Sequence, residues 1–459
     1  MPPTSRLAIF LALASAQASG APLLLEEVLE STERHHPVLL AQITERSAAE
    51  GELLGSRGAF DAKLNASSGT NRFGYYKTRT SGAGISQPLR SLGGEVFGGY
   101  KRGLGNFEPW KEGQLTLSRG EWSGGIQLPL LRNRRTDKSR TDLLLARLAV
   151  EYADASILEQ RLVLLQAAAS TYWTWVSAGR NLAIATDLLA LAEDRAEQVE
   201  GLVEAGQVAE IEIVENERAV LLRRSAIASA ERELQAARLD LSLFLRDANG
   251  NIVQVGRDRL PDLPEPTRLS AGAIETDLAM ALQRRPDISG LLVQVQRISA
   301  AQQLARNQLR PEVNFTAQFG RDAGIGTMSK QGNELIVGIT LESPIQRRKA
   351  RGEIAVQDAK QEQLLHKLRF LQDRVEVAVR DAASALDLAL QRLELARAEY
   401  DLARRLASAE LERFELGDST LFIVNQREMA AAAAQYAVVS AMADCHTATA
   451  AYRAATAVL

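Results

Sequence analysis

The chain has 459 residues, and its 54 basic and 57 acidic side chains leave a net charge of −3, so no global basic field draws it to nucleic acid. A single cysteine, Cys445, excludes an internal disulfide, and no cysteine or histidine spacing of a metal centre occurs. Nucleophile elbow, phosphate loop and HExxH motif are all missing, which argues against an enzyme and against a bound cofactor.

Residues 1–21 read as an export signal: Arg6, the apolar stretch LAIFLALASA, then small residues up to Ala18 or Ala21. No other apolar run reaches the ~18 residues of a membrane helix. The sequence therefore predicts an exported protein without a helical anchor.

After residue 21 the chain is one unit written twice. HHPVLL at 35–40 matches RRPDIS at 284–289, which sets Pro37 against Pro286 at an offset of 249 residues. PLLR at 129–132 matches PIQR at 344–347, at an offset of 215. Gly206 in EAGQVAEIEIVENER matches Gly417 in ELGDSTLFIVNQREM, at an offset of 211. The first repeat then covers 22–249 and the second 271–459, joined by a proline-rich linker at 250–270. The fall in offset from 249 to 215 means that the first copy carries 34 more residues between its strands. The further fall to 211 makes its descending helix four residues longer.

Each unit opens with a short helix, 23–35 or 271–284, followed by a proline suited to a first helical turn. A second helix follows, 37–57 or 286–309. The period then changes to two. In VNFTAQFG, Val313, Phe315, Ala317 and Phe319 point one way while Asn314, Thr316 and Gln318 point the other. Strands are expected at about 60–69 and 119–131 in the first repeat, and at 312–320 and 333–343 in the second. Between 69 and 120 a Gly-, Arg- and aromatic-rich stretch reads equally as a long loop or an added hairpin.

The rest is helix. Residues 345–459 contain no proline and two glycines, Gly352 and Gly417. Gly417 marks a fold-back, giving a long descending helix and a return arm of about 40 residues, 419–458, matched by 132–206 and 208–247 in the first repeat. Along the descending helix run two seven-residue stripes. Leu386, Leu393, Tyr400, Ala407 and Phe414 form one; Leu388, Leu395, Leu402 and Ala409 form the other. Positions two apart lie about 200° apart, so the helix is apolar on opposite sides and needs a neighbour on each.

The fold class expected is mainly α with a small β part: duplicated helical hairpins forming an α-barrel, plus four strands per chain. Four strands cannot close a barrel, and open edges are not tolerated in a bilayer. Three chains would supply twelve strands, within the range of outer-membrane barrels. Basic clusters follow both strand pairs, Arg132, Arg134 and Arg135 in one and Arg347 and Arg348 in the other. They would ring the barrel rim and meet lipid phosphates. Trp122, with Tyr75, Tyr76 and Trp110, suits an interfacial aromatic belt.

The RRPDI segment, the LRPEVNF junction, the LESPIQ strand end and the paired glycines at 206 and 417 together resemble the TolC-like outer-membrane efflux proteins over essentially the whole mature chain. The resemblance implies a homotrimer with a twelve-stranded barrel and a periplasmic helical tunnel. It implies the exit duct of a tripartite efflux pump or a type I secretion system, in the outer membrane of a Gram-negative bacterium. A periplasmic membrane-fusion adaptor would dock on the hairpin tips, Ala205, Gly206 and Gln207 with Leu416, Gly417 and Asp418, and an inner-membrane transporter would supply the energy. The family's acidic periplasmic constriction would fall on Glu212 and Glu215 in the first copy. In the second copy it falls on Ile423 and Gln426, so that half of any ring lacks charge. The competing reading is a periplasmic coiled-coil adaptor or scaffold without a pore, which leaves the amphipathic strands unexplained.

Overall fold

The structure, a computed structural model, describes residues 20–458 apart from Glu112 and Ala271. All but the last two residues of the expected export signal lie outside that range. The described chain divides into two compact units, and each draws on both repeats. One contains residues 41–160 and 282–376; the other contains the remainder.

In both repeats a proline separates the two opening helices. α1 (Leu25–His35) gives way to α2 (Pro37–Arg57), and later α5 (Ala273–Arg284) gives way to α6 (Pro286–Asn307). The residue before each proline is forced out of the helical region, His36 to φ −72°, ψ 123° and Arg285 to φ −63°, ψ 127°. That break starts a new helix with the proline in its first turn.

The unit built on 41–160 and 282–376 carries the sheet. Six antiparallel strands follow one another in chain order: β1 (Lys63–Asn71), β2 (Thr78–Pro88), β3 (Glu95–Gly105), β4 (Glu121–Pro129), β5 (Glu312–Asp322) and β6 (Gly332–Glu342). The expected four strands are present as β1, β4, β5 and β6. The count of four, however, is corrected to six. The 34-residue surplus of the first repeat folds as a hairpin, β2–β3, inserted between β1 and β4. Its alternation is faint in sequence because Ser81, Ala83 and Gly98 hold positions that Leu and Val hold in β6.

The register places Leu64, Ile85, Val96, Ile126, Leu128, Phe315 and Ile339 on one face. Asn65, Ser86, Glu95, Gln127, Thr316 and Thr340 share the other. In β2 the residues of the apolar face are exposed and those of the polar face half-buried. The sheet therefore presents its apolar side outward. Ile339 is 67% exposed, and Leu335, Val337 and Leu341 beside it are also open.

The other unit is helical. α3 (Lys138–Glu204) and α7 (Arg348–Glu415) are continuous helices of 67 and 68 residues, each ~100 Å at 1.5 Å per residue, and their C-terminal portions belong here. The return helices are α4 (Ile211–Leu241) and α8 (Leu421–Ala455). α4 is shorter than expected. Asp247 Oδ1 accepts from Asn249 N at 2.9 Å and from Asn251 N at 2.8 Å, and Gly250 sits at φ +81°, so DANGN makes a turn instead of continuing the helix.

Around Trp175, Tyr172, Val176, Leu234 and Leu241 lies the main core, closed by Leu23 and Val28 of the N-terminal segment. The linker 250–270 is packed rather than loose. Pro261 O accepts from Arg180 Nη2 at 2.6 Å, and Leu260 fills the space beside Gly179. Trp173 and Trp175 are packing residues, and Cys445 is fully buried in a small apolar cluster with Leu386 and Leu393.

Candidate functional sites at the hairpin tips and the sheet

The two hairpin tips are built alike. Gln207 N donates to Leu202 O at 2.9 Å and Gly206 N to Val203 O at 2.9 Å; in the second copy Asp418 N donates to Arg413 O at 2.8 Å and Gly417 N to Phe414 O at 3.0 Å. This six-to-one, five-to-two pattern requires a left-handed residue after the helix, and both glycines supply it, at φ +73° and +80°. Below the turns, Val199, Phe414, Leu421 and Val424 share one apolar cluster with Leu202, Val203 and Ile213, so the two tips are packed on each other. Ala205, Gly206, Gln207, Leu416, Gly417 and Asp418 are all exposed, with Leu416 at 80%.

The four expected constriction residues do not form a ring of free charges within the chain. Glu212 Oε2 accepts from Leu421 N at 3.2 Å, so it caps the first turn of α8 and bridges the two hairpins. Glu215 pairs with Arg218 one turn along α4 at 3.2 Å. Ile423 is half-buried, and Gln426 is exposed.

A charged cluster that sequence spacing gave no sign of lies further along these hairpins. Glu428 of α8 receives Arg195 of α3, through Nη1 at 3.0 Å and also through Nη2, and Arg223 of α4, through Nη2 at 2.6 Å. Arg195 also reaches Asn425 Oδ1 at 3.3 Å, and Arg223 Nη1 donates to Leu188 O at 2.7 Å. All three charged side chains are nearly closed off from solvent. Burial pushes the Glu428 carboxyl up, but the two guanidiniums outweigh it and hold it below the ordinary carboxylate value. Its two cationic partners come from two other helices, so no local pattern could announce it. Equivalent positions in the other repeat, Glu217, Leu406 and Ala434, carry no such set.

In the sheet-bearing unit, Trp122 stands exposed on the outward face against Tyr100, with ring centroids 5.0 Å apart. Tyr100 Oη donates to Arg119 O at 2.7 Å. Trp110 and Tyr75 are exposed in the loops beyond the strands, and Tyr75 meets Tyr76 edge-on at 5.0 Å. On the polar face Lys101 pairs with the buried Glu121 at 2.8 Å. The loop 106–120 folds toward this face, where Thr116 Oγ1 accepts from Gly103 N at 3.1 Å and Leu117 N donates to Asp322 Oδ1 at 3.1 Å.

Of the basic residues after the strands, Arg132, Arg134, Arg135 and Arg347 lie in connecting segments, whereas Arg348 opens a helix. Arg132 pairs with Glu312 at 2.5 Å, Arg134 and Arg135 precede α3, Arg347 takes φ +51° just before α7, and Arg348 is the first residue of α7. Among the described residues no cluster fit to hold a metal ion occurs, and no helix is long and apolar enough to cross a membrane.

This fold is that of the outer-membrane channels. The CmeC channel of Campylobacter jejuni is matched with a TM-score of 0.64 and 14% identity, covering 94% of this chain and 85% of that one. VceC of Vibrio cholerae is matched at 0.65 and 15%, covering 94% and 96%. The open state of MtrE from Neisseria gonorrhoeae is matched at 0.65 and 15%, covering 94% and 88%. Residues 278–458, most of the second repeat, match the family model described as outer membrane efflux protein. No curated protein matches.

Proposed function

We propose that this chain is one subunit of a homotrimeric outer-membrane exit duct, serving a tripartite efflux pump or a type I secretion system. It conducts passively, without bond chemistry. An inner-membrane transporter supplies the energy, and a periplasmic adaptor engages the hairpin tips at Leu416 and its counterparts.

The observation that carries this reading is a sheet with an outward apolar face and two unpaired edges, β1 and β6. Neither feature is stable alone in water or in lipid, and a ring of copies removes both. The helices support it independently. Of the two stripes on α7, Leu386 and Leu393 are buried at 1% and 2%, whereas Leu388, Leu395 and Leu402 on the opposite side are 55–71% exposed. That open stripe is where a neighbouring copy packs. A scaffold without a pore accounts for the stripe but not for the sheet.

In this duct Glu212 and Glu215 act at the periplasmic end as the charged half of the constriction, with Ile423 and Gln426 as the uncharged half. Arg132, Arg134, Arg135, Arg347 and Arg348 meet lipid phosphates at the rim, with Trp122 in the aromatic belt on the outward face. Reconstitution into planar bilayers tests the reading. Purified protein from the outer-membrane fraction should give discrete conductance steps, and protein that is membrane-bound yet never conducts would refute a duct.

A further inference from the structure

We propose that the β2–β3 hairpin is part of the barrel wall, so that each subunit contributes six strands and the duct is wider than a barrel of four strands per subunit. The inference rests on the duct reading and extends it to the size of the lumen.

Position in the sheet argues first. β4 pairs with β3 and β5, and β1 pairs with β2, so β1 never reaches β4. Closing a barrel through β1 and β6 of adjacent copies therefore draws β2 and β3 into the wall. Their lengths fit, since each has 11 residues, against the ~9–11 of a transmembrane strand. Their faces fit as well. Ile85 lies opposite Leu64 and Val96 opposite Ile126, so apolar side chains of the outward face continue onto the insertion, with Ser81, Ala83 and Gly98 between them and Arg79 and Arg102 toward its far end.

The 89–94 turn is anchored. Leu89 N donates to Gly94 O at 2.6 Å, and Arg140 Nη2 donates to Asn133 O at 2.5 Å directly against Gly93, where a Cβ would clash with both partners. A pair of strands also preserves the up–down alternation, so β1 and β4 keep the directions that closure requires.

The lumen consequence is geometric. Barrel diameter grows roughly linearly with strand number, so six strands per subunit in place of four widen it about 1.5-fold and its cross-section about 2.2-fold. The inserted wall is also thin on the polar side, where Gly84 lies opposite Gly99 and Gly82 and Gly103 follow. A Cβ on Gly99 would come within 2.7 Å of Ala83 O, so this position cannot carry bulk into the lumen without displacing the strands.

Two measurements test this, both in a Cys445→Ala background. Leu64→Cys with Ile85→Cys should form a disulfide within one chain in oxidised outer membranes, and Leu64→Cys with Ile126→Cys should not. The reverse pattern would put β1 beside β4, with the hairpin outside the wall, and overturn the proposal. Excision of residues 74–106 should then narrow the barrel outline seen end-on by electron microscopy by about one-third, following strand number. An unchanged barrel outline in a correctly inserted excision variant would also overturn it. If that variant fails to insert, the disulfide pattern alone decides. A wild-type protein that forms no channel removes the duct reading and this inference together, whereas a conducting channel with the Leu64–Ile126 bridge removes this inference only.

Discussion

Glu428 of α8 accepts a 2.6 Å hydrogen bond from Arg223 of α4, and through it the second hairpin is held to the first. Arg195 of α3 completes the clamp by donating to both oxygens of the carboxylate. One carboxylate thus serves two buried guanidiniums, an arrangement with no slack. Taking away the single anion leaves both cations desolvated and facing each other.

Glu428→Ala should therefore weaken the contact between the hairpins by ~3–5 kcal/mol, the cost of stranding buried charge. Glu428→Gln keeps the shape and should fall between Ala and wild type. Hydrogen exchange at 205–210 and 416–420 should accelerate in the same order, and resting conductance should rise with it. Wild-type exchange in both variants would mean that the apolar contacts of Phe414, Leu421 and Val424 suffice.

Acid acts on the same group. Its folded carboxyl is held below the ordinary value, so the stabilisation is complete above that value and is lost as pH falls through the depressed folded one. The tips should stay closed from neutrality down to about pH 4, near the ordinary glutamate range, and loosen only below it. Exchange rates measured across pH 3–7 on wild type and Glu428→Gln should converge at the acid end.

His446 adds a second acid sensitivity, which sets in at higher pH. Its ring stacks on Trp173 at 4.1 Å and its Nε2 lies 2.9 Å from Pro264 O. Burial lowers its pKa, outweighing the Pro264 carbonyl and Glu265, which raise it. The unfolded chain then binds the proton more readily, so stability is full above about pH 6.5 and declines as pH falls below it. His446→Phe keeps the stack and should flatten the pH dependence of thermal unfolding below about pH 6.5. An unaltered slope would assign it to other groups.

At the constriction, Glu212→Gln keeps an acceptor for Leu421 N, whereas Glu212→Ala removes the cap and should cost ~0.5–2 kcal/mol. Glu212→Gln combined with Glu215→Gln should reduce cation preference and divalent-ion block in single-channel recordings while sparing the fold. Unchanged selectivity would remove both residues from the gate.

For the docking tips, Leu416→Glu should abolish capture of the adaptor while leaving the helix content of the chain intact. Retained binding would shift the docking surface away from the turns.

Much of this was legible in the sequence because a duplicated chain reports on itself. The proline breaks at 37 and 286, the strands at 312–322 and 332–342, and the turns at Gly206 and Gly417 all come from local chemistry that appears twice. The two stripes on α7 were equally readable, since Leu395 can only be explained by a neighbour. Other features were hidden for definite reasons. The 34 surplus residues were countable, but β2 and β3 present Ser81, Ala83 and Gly98 outward, and a strand dependent on its neighbours for hydrophobicity shows weak alternation. Glu428 looks like any helix carboxylate until Arg195 and Arg223 arrive from other helices. Glu212 is proposed as lumen charge by position, and only the tertiary contact shows that it also caps α8.

The most direct test is electron cryo-microscopy of detergent-extracted particles from the outer-membrane fraction, at a resolution that separates strands. The account predicts three-fold particles with a closed β-barrel, β6 of each copy beside β1 of the next, and six strands from every subunit. Monomers with an open sheet edge, or soluble helical rods without a barrel, would contradict it.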